Sequence, residues 1–446
     1  MSFGPRKWMP GVTMGWSVVC LVLLSATGLQ AETWPGFRGA TGQGVAETDT
    51  TVLPAKWSEN TNLLWKLDLP PRGNSSPVVT EDRIYLTTQL ADRSMWVLAI
   101  DREEGQLLWE REIGSGVLAA DGPANLYVYR HNAATPTVVA DEDCVCAFFG
   151  TGVIACLDRN GELLWQHDLV KQYGEYKIRF GMGSSPRLWG ETIYLPTLTK
   201  GASFVIALDK TTGKVRWRKE RRYPAVDDGN DAYSTPMILQ RPERTEVVVA
   251  GADHVNSYNL ETGEEYWVSG GFGIDYTKGR IVASPIFSGT ILVGTSGNPG
   301  GGTLGHMLAL DLSKLPKGQI SPEKRLWNHR RTSPDSSTPV IYQGLVYLIR
   351  NDGIGMCIDL QTGEPYWKQR LCPSEVHASV VAGNGKVYFL NYEGECVVVE
   401  AGKEGKVLAR NHLPGIFYAT PALVNGIIYL RAYETLYAVK ELGESE

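Results

Sequence analysis

The chain has 446 residues, with 49 acidic against 43 basic side chains and a formal net charge of −6. An acidic balance argues against a nucleic-acid partner, because phosphate binding demands a basic footprint. Its 49 glycines and 13 tryptophans, with β-branched and aromatic residues crowded into short runs between Gly, Asn and Asp clusters, mark an all-β protein.

Residues 1–31 stand apart from the rest. Arg6 and Lys7 form a basic start, Val12 to Leu24 is largely apolar, and Ala26 to Ala31 is small enough for cleavage. This reads as a secretory signal peptide, with Glu32 opening the mature chain, so the protein is expected to be exported to the periplasm or beyond. Losing Arg6 and Lys7 takes the charge from −6 to −8. The apolar run falls short of the ~20 residues needed to cross a bilayer, and no later segment is a better candidate, so no membrane span is expected. Residues 32–60 are too short for a domain and are expected to form a strap against the remainder of the chain.

Over 61–446 a tryptophan returns on schedule: Ala99-Ile-Asp101 … Gly105 … Trp109, Cys156-Leu-Asp158 … Gly161 … Trp165, Ala207-Leu-Asp209 … Gly213 … Trp217, Ser257-Tyr-Asn259 … Gly263 … Trp267, and Cys357-Ile-Asp359 … Gly363 … Trp367. A period of about 40–60 residues signals an array of one supersecondary unit. Each unit parses into four strands, A to D. In the third unit, Ser184-Ser185-Pro186 opens strand A, Thr192–Leu195 is B, Phe204–Ala207 is C and Val215–Trp217 is D. The Gly suits a tight C–D turn at positive φ, and the Asp or Asn side chain can bond the turn backbone. The small position (Ala99, Cys156, Ala207, Ser257, Ala309, Cys357, Ala438) implies a crowded strand. The Trp is expected to wedge between neighbouring units and give its N–H to a backbone carbonyl. The fifth unit inserts Ser313 to Lys324 before Trp327, and the seventh carries Leu408 in place of Trp.

Strand-A openings can be counted separately: Ser76-Pro77, Thr135-Pro136, Ser185-Pro186, Thr235-Pro236, Ser284-Pro285, Thr338-Pro339, Ser379-Val380 and Thr420-Pro421. Seven carry Pro at the first strand position, where a missing N–H is tolerated. The last unit stops at Lys440 after three strands, while Asn62–Lys66 supplies a fourth strand and Trp65. Pairing these two ends closes a ring and removes exposed edges. The expected fold class is therefore all-β, an eight-bladed β-propeller of four-stranded antiparallel blades.

The Ala-x-Asp-x-x-x-Gly-x-x-x-Trp unit resembles the tryptophan-docking repeat of the pyrroloquinoline quinone (PQQ)-like propellers. These include the quinoprotein alcohol dehydrogenases and BamB, the propeller lipoprotein of outer-membrane protein assembly. The opening Trp34-Pro35-Gly36-Phe37-Arg38-Gly39, with Gly42-Gln43-Gly44-Val45 and Arg72-Gly73-Asn74-Ser75-Ser76-Pro77, is similar to secreted bacterial members of that group. For a dehydrogenase the resemblance implies PQQ between a disulfide of adjacent cysteines and a Trp, with Ca²⁺ held by Glu, Asn and Asp. No two cysteines are adjacent here; Cys144 and Cys146 are one residue apart. The expectation is accordingly no cofactor, with PQQ and calcium as the alternative. Cys20 lacks the small residues that precede a lipid-attachment cysteine, which sets the chain apart from BamB-like anchoring.

In an exported chain, Cys156 reads either as a small buried thiol, like Cys357, or as half of a cross-strand bridge to Cys146 over Gly150-Thr151-Gly152. Gly300–Gly305 matches G-x-G-x-x-G, but a strand follows it, so the anion-binding helix terminus is missing. Asp227–Asp231 lacks the spacing of a calcium loop and reads as a solvated turn. There is no H-E-x-x-H and no G-x-S-x-G.

Eight D-to-A loops should converge on one mouth of the channel. Three residues before each strand-A Pro (or Val380) lie Asn74, Ala133, Gly183, Tyr233, Val282, Ser336, His377 and Tyr418. Upstream are Arg72, Arg130, His131, Asn132, Arg179, Asp231, Arg280, Arg330 and Glu375. The candidate site is Arg72, Asn74, His131, Asn132, Arg179, Asp231, Tyr233, Arg280, His377 and Tyr418. This polar, aromatic and mainly basic rim suits a protein partner or a small anionic or carbohydrate ligand. The expected function is an exported, non-catalytic binding or scaffolding propeller. A PQQ-dependent oxidoreductase and a BamB-like role in outer-membrane protein assembly are the alternatives.

Overall fold

The computed structural model describes residues 1–2, 4, 32–46, 51–70, 73–118, 131–274, 279–297, 305–330 and 332–443. Nearly all of the signal-peptide segment, together with Arg72, Arg130 and most of Gly300–Gly305, lies outside them.

The repeat is explained by pairs of opposed residues. Ala99 stands opposite Trp109, Cys156 opposite Trp165, Ala207 opposite Trp217, Ser257 opposite Trp267, Ala309 opposite Trp327, Cys357 opposite Trp367 and Ala438 opposite Trp65. The small residue leaves room for the indole directly across the ladder. Every one of these indoles except Trp267 then leans on the C–D turn of the next blade. A Cβ added to Gly105, Gly161, Gly213, Gly263, Gly363 or Gly405 would fall 2.4–2.9 Å from Trp65, Trp109, Trp165, Trp217, Trp327 or Trp367, respectively. With φ of 66–84° at these turns, glycine is required twice over, by conformation and by space. Trp109, Trp165, Trp217, Trp327 and Trp367 donate their Nε1–H to turn carbonyls of Arg159, Lys210, Leu260, Leu360 and Gly402.

Among the described residues, eight sheets form the blades, each built on four antiparallel strands and one of them extended by a fifth. Blade 1 comprises Val78–Val79, Arg83–Gln89, Ser94–Asp101 and Leu107–Ser115. Blade 8 is completed by the N-terminal strand Leu63–Asp68, antiparallel to Thr435–Lys440, so the ring closes as expected. Apolar side chains cluster in the seams: Val78 and Tyr85 of blade 1, for example, pack with Val138 and Val145 of blade 2. Cys146 and Cys156 face each other across strands B and C of blade 2 and form a disulfide.

Both departures from the repeat follow from the neighbouring turn. The insertion in blade 5 removes the glycine turn on which Trp267 would dock. Its Gly318–Gln319 pairs instead with strand D of blade 4, adding a fifth, parallel strand there. Trp267 then donates within its own blade to the fully buried Glu246, at 2.7 Å. Blade 8 has no C–D turn at all, because its C and D strands come from opposite ends of the chain. An indole in blade 7 would have nothing to dock on. The register places Ala409, opposite Val398, in the Trp position; Leu408 is one residue off, which corrects the expectation. In four other blades the indole lies 5.9–6.3 Å from a strand-B tyrosine: Trp65–Tyr429, Tyr85–Trp109, Tyr194–Trp217 and Tyr347–Trp367. In blade 7 that tyrosine, Tyr388, meets Trp57, also at 6.3 Å. The N-terminal strap supplies the missing ring.

The strap also winds round the axis. Trp34 pairs with Val79, Pro35 accepts from Ala140, Thr41 from Ile238 and Gln43 from Phe287, while Gly44 and Ala46 bond Ala382. Arg38 reaches the carbonyls of Thr338, Pro339 and Val380, and Glu32 accepts from Asn425. With Arg187 holding Phe37, Gly39 and Ala40, residues 32–46 touch all eight blades.

Candidate functional site: an axial cup

Two residues before strand A begins, a backbone N–H donates to a side-chain hydroxyl of the next blade. The sequence of donors is Ser76 to Thr137, Thr137 to Ser185, Ser185 to Thr235, Thr235 to Ser284, Ser284 to Thr338, Thr338 to Ser379, Ser379 to Thr420 and Thr420 back to Ser76, at 2.9–3.3 Å. Serine and threonine alternate strictly around this circle. It corrects the opening read for blade 2: Thr137-Val138 is in register with Ser76-Pro77, two residues beyond Thr135-Pro136. Six openings, not seven, therefore carry Pro.

The hydroxyl ring lines a cavity of about 460 Å³ on the axis. A second ring, two residues earlier, consists of Asn74, Thr135, Gly183, Tyr233, Val282, Ser336, His377 and Tyr418, and all of it lines the same cavity. Thr135 thus replaces Ala133, which is buried in the seam of blades 1 and 2. Phe37 of the strap also lines the cavity. Since the strap bonds strand-A residues beyond the hydroxyl ring, it forms the bottom of a cup whose mouth is made by the D-to-A loops.

The cup wall is aromatic on two sides. Arg280 sits over Phe180 at 4.6 Å and Tyr233 at 5.7 Å, and its guanidinium lies 3.6 Å from Asp335. Opposing cation–quadrupole attraction and the carboxylate hold that side chain in place. On the other side, Tyr418 stacks against His377 at 5.0 Å and Tyr433 at 5.4 Å. His377 gives Nε2–H to Glu375 at 3.1 Å, leaving Nδ1 facing the Ser336 hydroxyl at 3.4 Å, long for a productive O–H···N bond. Desolvation pushes His131 down to about 4, despite its bond to the Gly181 carbonyl, so it is neutral at pH 7. Burial, with Asp231 nearby, drives the Tyr233 phenol upward, so it remains protonated.

Of the expected residues, Asn74, His131, Tyr233, Arg280, His377 and Tyr418 line this cup. Asn132, Arg179 and Asp231 lie outside its lining. Asn132 accepts from Ala134 and shapes the entry turn. Arg179 pairs with Asp228 at 3.1 Å, and buried Asp231 accepts the Arg179 backbone N–H. These residues brace the loop that presents Phe180. Arg72 lies outside the described residues. Among the described residues the rim is also less basic than expected. Arg280 is accompanied by Asp335, Asp352 and Glu375, each beside a basic group: Arg280, Arg350 and His377. The hydroxyl ring, Phe37, Phe180, Asp335 and Asn351 were missed, although the alternating Ser and Thr at the strand openings carried a signal for the first.

Among the described residues, the lining contains neither Trp nor Cys. The Cys146–Cys156 bridge is buried within blade 2. Among the described residues, the grouping of metal-ligating side chains is Cys144, Cys146 and Cys156, two of which are spent in that bridge. The residues present therefore do not fit a sandwiched quinone with calcium beside it.

Fold and site together define a PQQ-like propeller of eight blades with an axial cup. The family described as outer membrane protein assembly factor BamB matches residues 37–159 and 150–442, and the chain belongs to that family. It is 30% identical over 149 residues to quinoprotein alcohol dehydrogenase PedH of Pseudomonas putida, covering 31% of this chain and 23% of that one. To quinohemoprotein alcohol dehydrogenase ADH IIB of Pseudomonas putida it is 26% identical over 284 residues, covering 60% and 36%. The chain thus spans about a quarter to a third of these curated relatives. Among solved structures, BamB from Moraxella catarrhalis superposes with a TM-score of 0.59 at 14% identity, covering 85% of this chain and 99% of that one. Quinohemoprotein alcohol dehydrogenase from Comamonas testosteroni gives 0.62 at 12% identity, covering 93% and 81%. These likenesses support the fold. Among the described residues no helix is long and apolar enough to cross a membrane.

Proposed function

We propose that this protein is an exported, non-catalytic binding propeller that holds a small polar ligand in its axial cup. The observation that carries this is convergence: every blade contributes to one 460 Å³ cavity, and the strap forms its base. Cavities of a few hundred Å³ with aromatic walls and a few placed polar groups are the usual form of a small-molecule site. The non-catalytic reading is supported by a lining that does not fit PQQ and calcium. Mixing the protein with both should accordingly produce no quinone absorption band. Export is supported by the character of residues 1–31 and is checked by N-terminal sequencing, which should begin at Glu32.

Native mass spectrometry of the protein from its source envelope should show a bound small molecule. The double variant Tyr233→Ala, Tyr418→Ala should lose that mass with its melting temperature within a few degrees of wild type. An empty cup in wild type, or a ligand retained by the variant, would overturn the reading. The BamB family match favours a second reading, in which the rim receives a segment of a protein partner. Cross-linking from the D-to-A loops to outer-membrane assembly proteins is its distinguishing result.

A further inference from the structure

We propose that the hydroxyl ring is an oxyanion seat, so that the cup takes the carboxylate, sulfate or phosphate end of its ligand. The inference rests on the cup being the binding site and names the chemistry it would select.

The first observation is a surplus of donors. Ser76, Thr137, Ser185, Thr235, Ser284, Thr338, Ser379 and Thr420 are each no more than 5% exposed, and all line the cavity. Every one of these oxygens accepts a backbone N–H from the preceding blade. Among the described residues, none of the eight O–H groups has an acceptor of its own. Each hydroxyl hydrogen is therefore free to donate to whatever occupies the cavity, and here eight such groups surround one axis. A ligand rich in acceptors, such as an oxyanion, matches that surplus.

The second observation is uncompensated positive charge just beneath. Arg38 and Arg187 are buried, and their guanidinium groups bond carbonyl oxygens: Gly42, Gln43, Thr338, Pro339 and Val380 for Arg38, and Phe37, Gly39, Ala40 and Pro236 for Arg187. Among the described residues neither has a carboxylate partner. One acceptor of Arg38 is the carbonyl of Thr338, a member of the hydroxyl ring, so the charge stands about one residue below the seat. Burial pushes both guanidinium groups down to about 9, with Arg187 also repelling Arg38, yet both remain cationic at pH 7. Of the wall carboxylates, Asp335 and Asp352 are paired with Arg280 and Arg350, and Glu375 accepts from His377. An oxyanion on the ring would meet hydroxyl donors and long-range attraction together, in a site where both are weakly screened.

Selenate provides the probe, since its anomalous scattering locates it. Crystals of the full chain soaked in sodium selenate should show a selenium peak on the axis within hydrogen-bonding distance of ring hydroxyls. In solution, calorimetric titration with sodium sulfate should be saturable, and the double variant Ser284→Ala, Thr338→Val should weaken it at least ten-fold. Selenium absent from the ring, or undiminished sulfate binding by a folded variant, would overturn the seat. Should that variant fail to fold, the selenium position in the unaltered chain decides alone. A neutral molecule retained in the cup without selenate on the ring would sink this proposal while leaving the proposed function standing.

Discussion

Glu246 shows how one side chain absorbs a local break in the repeat. With no turn carbonyl on the neighbouring blade, Trp267 sends its N–H to this buried carboxylate, which also accepts from Ser257, Arg241 and Arg244. Burial pushes the Glu246 carboxyl up, but the bonds from Ser257 and the two arginines outweigh it and hold it below its ordinary 4.5. A depressed folded-state value means the stabilisation is complete above pH 4.5 and fades as pH drops through the lower, folded value. Glu246→Gln leaves two arginines uncompensated and should cost about 3–5 kcal/mol at pH 7. The gap from wild type, followed by urea unfolding, should narrow below pH 4.5; a constant gap would show that charge is not the cause.

At the scale of elements, six blades are fastened by an indole that reaches over the next blade's glycine turn. Blade 7 has no such turn ahead of it, and Trp57 fills the place from the strap, backed by Asn411, whose Oδ1 accepts the Trp57 backbone N–H at 2.9 Å. Tyr388 completes the contact by donating its hydroxyl to the Pro54 carbonyl. Trp57→Ala should therefore destabilise by about 3–5 kcal/mol, the range for emptying a buried aromatic site. Val52→Ala, at a residue 61% exposed in the same strap, should change the denaturation midpoint little. This substitution by Trp57 was illegible in the sequence, because it obeys no period. The blades themselves were legible, since an indole, a small residue opposite it and a glycine turn are one steric requirement written three times. Blade 2 was misread by two residues because Thr135-Pro136 imitates the Thr-Pro pairs elsewhere, and only the hydroxyl circle distinguishes Thr137. The basic rim misled for another reason: Arg179 and Arg280 are each drawn to an aspartate far away in sequence, Asp228 and Asp335.

On the scale of the whole molecule, two closures depend on the N-terminal segment. Leu63–Asp68 completes blade 8, and residues 32–46 seal the axis beneath the cup. Arg187 is the pin of the second closure, because it joins strand A of blade 3 to three strap carbonyls and to Pro236 of blade 4. Arg187→Met removes those bonds while roughly keeping the side-chain volume, leaving strap carbonyls without donors inside the protein. The ring of blades has its own ladders and seams and should persist, so the far-UV spectrum should hardly change. Trypsin reports on the strap directly. Arg38 is 1% exposed in the intact protein and should resist cleavage there, whereas in the variant the chain should be cut after Arg38. Equal protection in both proteins would mean that the other strap bonds suffice, and that the axial seal does not depend on the guanidinium beneath the cup.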